Sequence, residues 1–329
     1  MATVQLTLAI SDYDHVRDLT RGEVRAAGIE LVHLDLQIEE IFHRFTKYRE
    51  WDVSEMSLAK YCALVSQGDT SVTAIPVFPS RAFRLSSIYV RRGGPVRRPE
   101  DLKGKRVGLP EWAQTAAVYT RGYLVHEVGL SLADIEWVQA GVNEAGRAEK
   151  VALELPAGVR CRPAPDKTLN GMLLSGEVDA IMTAHPPDAF VQRRPEVVRL
   201  FPDYVAVEEA YWRKTGIYPI MHIVALRRQV LERHPWVAMN LFKAFEEAKR
   251  RSQARALDVT ATRFPIPWVY AWAERARELF GDDFFPYGIE PNRRTLEAFL
   301  RFAHEQGVCR RLLRVEELFP EELRTSFRV

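Results

Sequence analysis

Leu6, Leu8 and Ile10 alternate with Gln5, Thr7 and Ala9, a period of two that predicts a strand with one buried face. The strand runs into Ser11-Asp12-Tyr13-Asp14-His15, and a polar loop at a strand end is a usual place for ligand contacts. Residues 29–36 read as a second strand. Ile38, Ile41, Phe42 and Phe45 then fall at i, i+3, i+4 and i+7, the spacing of an amphipathic helix. A short strand over 51–57 breaks into a helix through Tyr61, Leu64 and Val65, so the chain opens β-α-β-α. Residues 72–78 predict another strand, with Pro76 at an edge, a bulge or its end, and 86–90 predict one more.

The run Arg91-Arg92-Gly93-Gly94-Pro95 mixes flexible and stiff residues and reads as the first crossing between domains. Beyond it the pattern predicts a turn and strand over 99–109, a helix from Thr115 past Tyr123 and a strand over 135–139. A helix over 169–174 follows, then a turn and strand over 175–182. Asp52-Val53 and Val178-Asp179 each follow a helix and a turn, a faint sign of two similar halves. Residues 218–226 predict a strand that carries the chain back to the first half. The remainder is helical, with Val237, Leu241, Ala244, Phe245 and Ala248 on one face and Leu296, Phe299, Leu300 and Ala303 on another. The expectation is an α/β protein of two lobes, residues 1–92 with 205–329 and residues 93–204, carrying a C-terminal helical cap. A ligand belongs between the lobes, where strand ends meet helix N-termini.

Composition narrows the partners. Of 329 residues, 47% are hydrophobic and 27% charged, and Lys and Arg exceed Asp and Glu by 46 to 44, so no basic arm for nucleic acid is present. Cys62, Cys161 and Cys309 are far apart and form no CxxC pair, which suggests inert thiols in a reducing compartment. No apolar run approaches the ~20 residues that cross a bilayer, and no basic leader precedes the first strand. A cytoplasmic protein with neither membrane nor nucleic acid as partner is expected.

Two sets of motifs carry a resemblance. Asp101-Leu102-Lys103-Gly104-Lys105-Arg106-Val107-Gly108, with Gly176-Glu177-Val178-Asp179-Ala180, resembles the second lobe of type II periplasmic binding proteins. More specific are Asp52-Val53-Ser54-Glu55-Met56-Ser57-Leu58, Ile75-Pro76-Val77-Phe78-Pro79-Ser80-Arg81-Ala82-Phe83-Arg84 with Ser86-Ser87-Ile88-Tyr89, and Pro286-Tyr287-Gly288 with Asn292-Arg293. These resemble the 4,5-dihydroxyphthalate decarboxylase family, over residues 6 to 318. The resemblance implies a two-lobed type II periplasmic-binding-protein-like fold and decarboxylation of a dihydroxylated aromatic dicarboxylate. It implies a small aromatic carboxylate as partner and no required cofactor, with a divalent metal and a homo-oligomer left open. A non-catalytic solute-binding protein for an aromatic acid is the alternative. An enzyme of thiamine-precursor synthesis shares the fold, but it would carry a cysteine-rich segment that these three cysteines do not supply.

That chemistry asks for cationic anchors for two carboxylates, a base for a phenol and a donor for a ring carbon. On the resemblance, Arg81 and Arg84 are the anchors, because guanidinium forks match carboxylates; as plain residues both also suit surface caps. His185, after an inferred strand of the second lobe, and His222, within the returning strand, are the proton carriers, although His222 also suits a core. Glu55 at a strand-to-helix junction is a candidate base or acid, or simply a helix cap. Tyr13 and Asp14 offer hydrogen bonds to catechol oxygens or form a polar turn. Gln114 and Thr115 stand where a helix N-terminus favours a carboxylate. A metal would need His185, His222 and a carboxylate to converge.

Overall fold

In the computed structural model, which describes residues 3–324, eleven strands form two sheets. The strands are β1 (Val4–Ala9), β2 (Ile29–Leu34), β3 (Val53–Ser57), β4 (Val72–Ile75), β5 (Ile88–Arg91), β6 (Arg106–Leu109), β7 (Glu136–Gly141), β8 (Arg160–Thr168), β9 (Ala180–Met182), β10 (Val197–Arg199) and β11 (His222–Arg227). The helices are α1 (Asp14–Thr20), α2 (Ile38–Tyr48), α3 (Leu58–Ser66), α4 (Thr115–His126), α5 (Leu169–Ser175), α6 (Asp188–Val191), α7 (Tyr204–Thr215), α8 (Arg228–Arg233), α9 (Val237–Ala256), α10 (Val269–Phe280) and α11 (Arg293–Glu305). One sheet runs β2-β1-β3-β11-β4 and the other β10-β5-β9-β6-β7-β8. Each contains a parallel trio, β2-β1-β3 and β7-β6-β9, the second extended by β8 as a fourth parallel strand, and beside the trio an antiparallel strand that the crossing chain inserts, β11 and β5 respectively.

The faint repeat around Asp52 and Asp179 has a physical basis. In the first lobe Asp52 Oδ2 accepts the backbone N–H of Thr7 at 3.0 Å, and in the second Asp179 Oδ2 accepts that of Arg106 at 3.0 Å. Each aspartate precedes the third parallel strand and satisfies a donor on the first strand. Each is also paired with an arginine, Arg227 and Arg106. The same answer to the same unpaired N–H therefore appears once in each sheet.

Two expectations about boundaries need correction. β5 was predicted as a strand, but it pairs with β9 and β10 and so belongs to the second lobe. The first crossing therefore precedes residue 88, and Gly93-Gly94 is a turn inside the second lobe, not the link. A hydrophobic alternation shows that a segment is a strand, but not which sheet it joins. The return strand starts only at His222, because 218–221 is spent crossing over, with Ile220 bridged to Arg81. Strands β8 and β10 had no clear signal. β8 holds Pro163 and Pro165 and is mostly exposed, as an edge strand allows, and β10 is three residues long.

The C-terminal helices pack on both lobes. Arg121 of α4 is wholly buried, with its guanidinium 3.9 Å from the Trp112 ring, and it donates to Gln306 Oε1 at 2.8 Å and to the Trp112 carbonyl at 2.6 Å. Burial pulls its pKa down to about 9. Gln306, just after α11, in turn donates to the Val118 carbonyl at 2.9 Å. Replacing Gln306 by Leu removes a neutral acceptor from a buried cation. The expected loss of unfolding free energy is about 1.5–3 kcal/mol, read from urea denaturation midpoints at unchanged slope.

Candidate active site

Between the lobes lies a pocket of about 180 Å³. Pockets for drug-sized ligands span roughly 300–1,000 Å³, so this one suits a single substituted ring. Its polar wall is charged. Lys60, Arg84, Arg147 and Lys150 face two carboxylates, Glu39 and Glu111, which leaves a surplus of two positive charges before the histidines are considered.

His222 is placed by strand register. It pairs with Ser57 across β11 and β3, while Glu55 pairs with Val224, so His222 and Glu55 are diagonal neighbours on one face. His222 Nδ1 lies 2.6 Å from Glu55 Oε1, and Glu55 is completely buried. Tyr13 donates its hydroxyl to the same Oε1 at 2.6 Å, and the Ser11 N–H reaches Oε2 at 3.2 Å. A carboxylate bound to three donors is an acceptor, so Nδ1 carries the hydrogen and Nε2 is left as the lone-pair nitrogen. Burial first, and then the Glu55 charge, push the Tyr13 phenol well above its ordinary range and keep it a donor. Phe42 packs edge-on against the imidazole, with centroids 4.8 Å apart.

The opposite wall is built around Glu111, 1% exposed, on the loop that follows β6. Its Oε2 lies 2.6 Å from Lys60 Nζ of α3, and its Oε1 lies 2.6 Å from Arg147 Nε and 3.5 Å from Lys150 Nζ. Burial alone would raise the Glu111 pKa; the charges of Lys60, Lys150 and Arg147 outweigh it and hold the carboxyl below its usual range. Arg147 also donates to Glu39 Oε2 at 2.8 Å, and His185 Nε2 lies 3.4 Å from Glu39 Oε1. Thr115 Oγ1 accepts the Ala59 N–H at 3.0 Å and shares a hydrogen bond with Ser57 Oγ at 2.9 Å. Every one of these contacts except those of Arg147 and Lys150 with Glu111 joins one lobe to the other.

The candidate residues divide sharply. Arg84, Gln114, Thr115, His185 and His222 all line the pocket. Arg84 donates only Nε, to Met221 Sδ at 3.2 Å, and no carboxylate stands within ion-pair distance of it among the described residues. It is the cation with most donors to spare, and its burial lowers its pKa. Gln114 Oε1 is buried without a partner. His185 stands at the mouth, its side chain 60% exposed. Glu55 and Tyr13 act from behind His222 and do not line the pocket.

Two expectations fail. Arg81 does not reach the pocket: it is 8% exposed, donates to the Pro286 and Tyr218 carbonyls at 2.9 and 2.8 Å, and lies 4.2 Å over the Tyr218 ring. Both its terminal nitrogens are engaged by backbone carbonyls, and it forms no part of the pocket wall. Asp14 points instead to α9, accepting from Ser252 Oγ at 2.6 Å and pairing with Arg255 at 3.2 Å. Sequence reasoning also missed Glu39, Lys60, Glu111, Arg147 and Lys150. Lys60 had a signal, as the one charge in an otherwise apolar helical turn; Arg147 and Lys150 sit in a stretch without periodicity and had none. Among the described residues no three His, Cys, Asp or Glu side chains are grouped so as to hold a metal ion, and no helix is long and apolar enough to cross a membrane. A larger hollow, about 620 Å³, lies beside α9 and residues 283–291, but it is mainly apolar and holds none of the candidate residues.

The fold is that of the type II periplasmic binding proteins. The periplasmic aliphatic sulphonate binding protein SsuA of Escherichia coli superposes with a TM-score of 0.56 at 14% identity, over 97% of this chain and 98% of its own. The NMT1/THI5-like family model matches residues 80–151. Within that class the sequence is more specific. It is 37% identical over 330 residues to the 4,5-dihydroxyphthalate decarboxylase of Comamonas testosteroni, covering 100% of both chains. It is 40% identical over 214 residues to that of Pseudomonas putida, covering 65% of this chain and 83% of the relative. The chain belongs to the 4,5-dihydroxyphthalate decarboxylase family.

Two outcomes separate the arginines. Arg84→Met should weaken binding of the unreactive dianion phthalate by about 10-fold or more, as losing a charged hydrogen bond does. Arg81→Met should leave that affinity within about threefold and lower stability by about 1–3 kcal/mol, because two buried carbonyls lose their donor. Calorimetric titration and urea denaturation read the two effects. A third outcome concerns acid. The hydrogen bond from His185 first, and then Arg147, pull the Glu39 pKa from 4.5 to about 2. A depressed carboxyl contributes stability that is whole above about pH 4.5 and lost as pH falls towards 2. Glu39→Gln should flatten the fall of Tm across that window.

Proposed function

We propose that this protein removes one carboxylate of 4,5-dihydroxyphthalate as CO2, giving 3,4-dihydroxybenzoate. The observation that carries the reading is the pairing, in one ring-sized pocket, of a surplus of two positive charges with a histidine whose other nitrogen is held by a buried carboxylate. The surplus matches a dianion. The histidine matches a phenol that must lose its proton before the ring will react.

Direct loss of CO2 from a benzene ring would leave an aryl carbanion in the ring plane, with no orbital to delocalise it. The hydroxyl para to the departing carboxylate offers another route. His222 Nε2 takes the phenol proton, and Glu55 stabilises the imidazolium through Nδ1–H and fixes the ring orientation. The phenolate oxygen pushes electron density to the para carbon, which takes up a proton and becomes tetrahedral. The C–C bond to the carboxylate then breaks, its electrons restore the aromatic sextet, and CO2 leaves. His222 returns its proton to the phenolate. The net reaction consumes one proton, and the substrate's own hydroxyl is the electron sink, so no cofactor is needed. Arg84 holds one carboxylate, and the Thr115 and Gln114 end of α4 lies beside it in the same pocket.

The test is to incubate purified protein with 4,5-dihydroxyphthalate, with and without chelator, and follow CO2 and 3,4-dihydroxybenzoate together. Stoichiometric release of both, unchanged by chelator, is expected. His222→Ala and Glu55→Gln should each lower kcat by about 10² or more while phthalate still binds, the scale for losing a general base or the group that orients it. Tight binding without release of CO2 by the wild-type protein would make it a solute-binding protein instead.

A further inference from the structure

The reaction above leaves the donor of the ring proton unassigned. His222 is committed to the phenol, at the far end of the ring from the carbon that is protonated. Glu55 lies behind His222 and does not line the pocket. His185 stands at the mouth beside Glu39 with most of its side chain in solvent. The donor must lie within reach of the carboxylate-bearing carbon, and hence among the cations that hold the carboxylates.

We infer that Lys60 is this donor, a catalytic acid that delivers its ammonium proton to the ring carbon before CO2 departs; the inference rests on the decarboxylase reading. Three observations support it. Lys60 lines the pocket yet is only 4% exposed, on a helix whose neighbouring residues, Leu58, Ala59, Tyr61, Cys62 and Ala63, are all buried. Burying a lysine there costs several kcal/mol unless it is paired, so the ion pair with Glu111 is what holds it at the pocket wall. Its one charged partner among the described residues is Glu111 Oε2, at 2.6 Å. An ammonium has three N–H donors, so two remain for a ligand.

The other cations suit the task less well. Arg84 and Arg147 carry guanidinium groups, which do not give up a proton in proteins. Lys150 is partly exposed and only 3.5 Å from a Glu111 oxygen already held by Arg147. Glu111 anchors the Lys60 ammonium across the cleft. The step balances: one N–H bond breaks and one C–H bond forms, the C–C bond electrons return to the ring, and neutral Lys60 regains its proton from solvent when the product leaves.

The experiment compares Lys60→Arg and Lys60→Ala with the wild-type enzyme, measuring phthalate affinity and the kcat for 4,5-dihydroxyphthalate. Arginine keeps the charge and the ion pair but is too weak an acid. Lys60→Arg should bind phthalate within about threefold of wild type yet lose about 10²-fold or more in kcat. Lys60→Ala should regain turnover when methylamine or ethylamine is added, in proportion to the protonated amine. A Lys60→Arg enzyme with wild-type kcat, or Lys60→Ala turnover that amines do not change, overturns the assignment. Phthalate affinity lost with kcat kept overturns it too and makes Lys60 an anchor. A wild-type protein that releases no CO2 fails the decarboxylase reading itself, a distinct result visible before any variant is made.

Discussion

The site depends on one buried carboxylate. Glu111 is almost without contact with water, and a lone ion there would cost several kcal/mol to desolvate. Three cations, Lys60, Arg147 and Lys150, gather to offset that cost, and Lys60 comes from the other lobe. The carboxylate thus fixes the positions of the positive charges and joins the two walls of the cleft. Because the cations outnumber the carboxylates, the pocket keeps a net positive charge, suited to an anionic ligand and not to a neutral one.

The two ends of the pocket obey opposite physics. At the Glu111 end charge is concentrated and mutually compensated. At the His222 end Glu55 faces no full cation; it is satisfied by Tyr13, by the Ser11 amide and by the imidazole itself. That arrangement anchors the imidazole through Nδ1. In this periplasmic-type cleft a strand register places a buried carboxylate and a histidine side by side.

The two-fold likeness of the lobes explains where the pocket lies. In each sheet the crossing chain adds an antiparallel strand beside the parallel ones, so the ends of β3 and β11 meet the loop after β6 across the cleft. His222 is the first residue of β11 and Glu111 the second after β6. Both are therefore held by rigid sheet and yet stand at its edge.

The sequence by itself determined the α/β class, the alternation of strands and helices and the helical C-terminus, and it carried a faint repeat around Asp52 and Asp179 whose hydrogen-bonding role the structure supplied. These follow from periodicity and from local demands for hydrogen bonds, which a chain segment carries wherever it sits. On the family resemblance it also named His222, Glu55 and Arg84 as candidates, and the structure brings His222 and Arg84 to the pocket wall with Glu55 behind His222. Only the tertiary structure decided that β5 belongs to the second sheet, that Arg81 is spent on backbone carbonyls and that Asp14 clamps α1 to α9. It alone gathered Lys60, Glu111, Arg147 and Lys150, which lie up to ninety residues apart in the chain. A charged residue looks the same in sequence whether it ends in solvent or in a cleft. What separates the two is the partner that folding brings beside it, and partners at long range leave no local pattern.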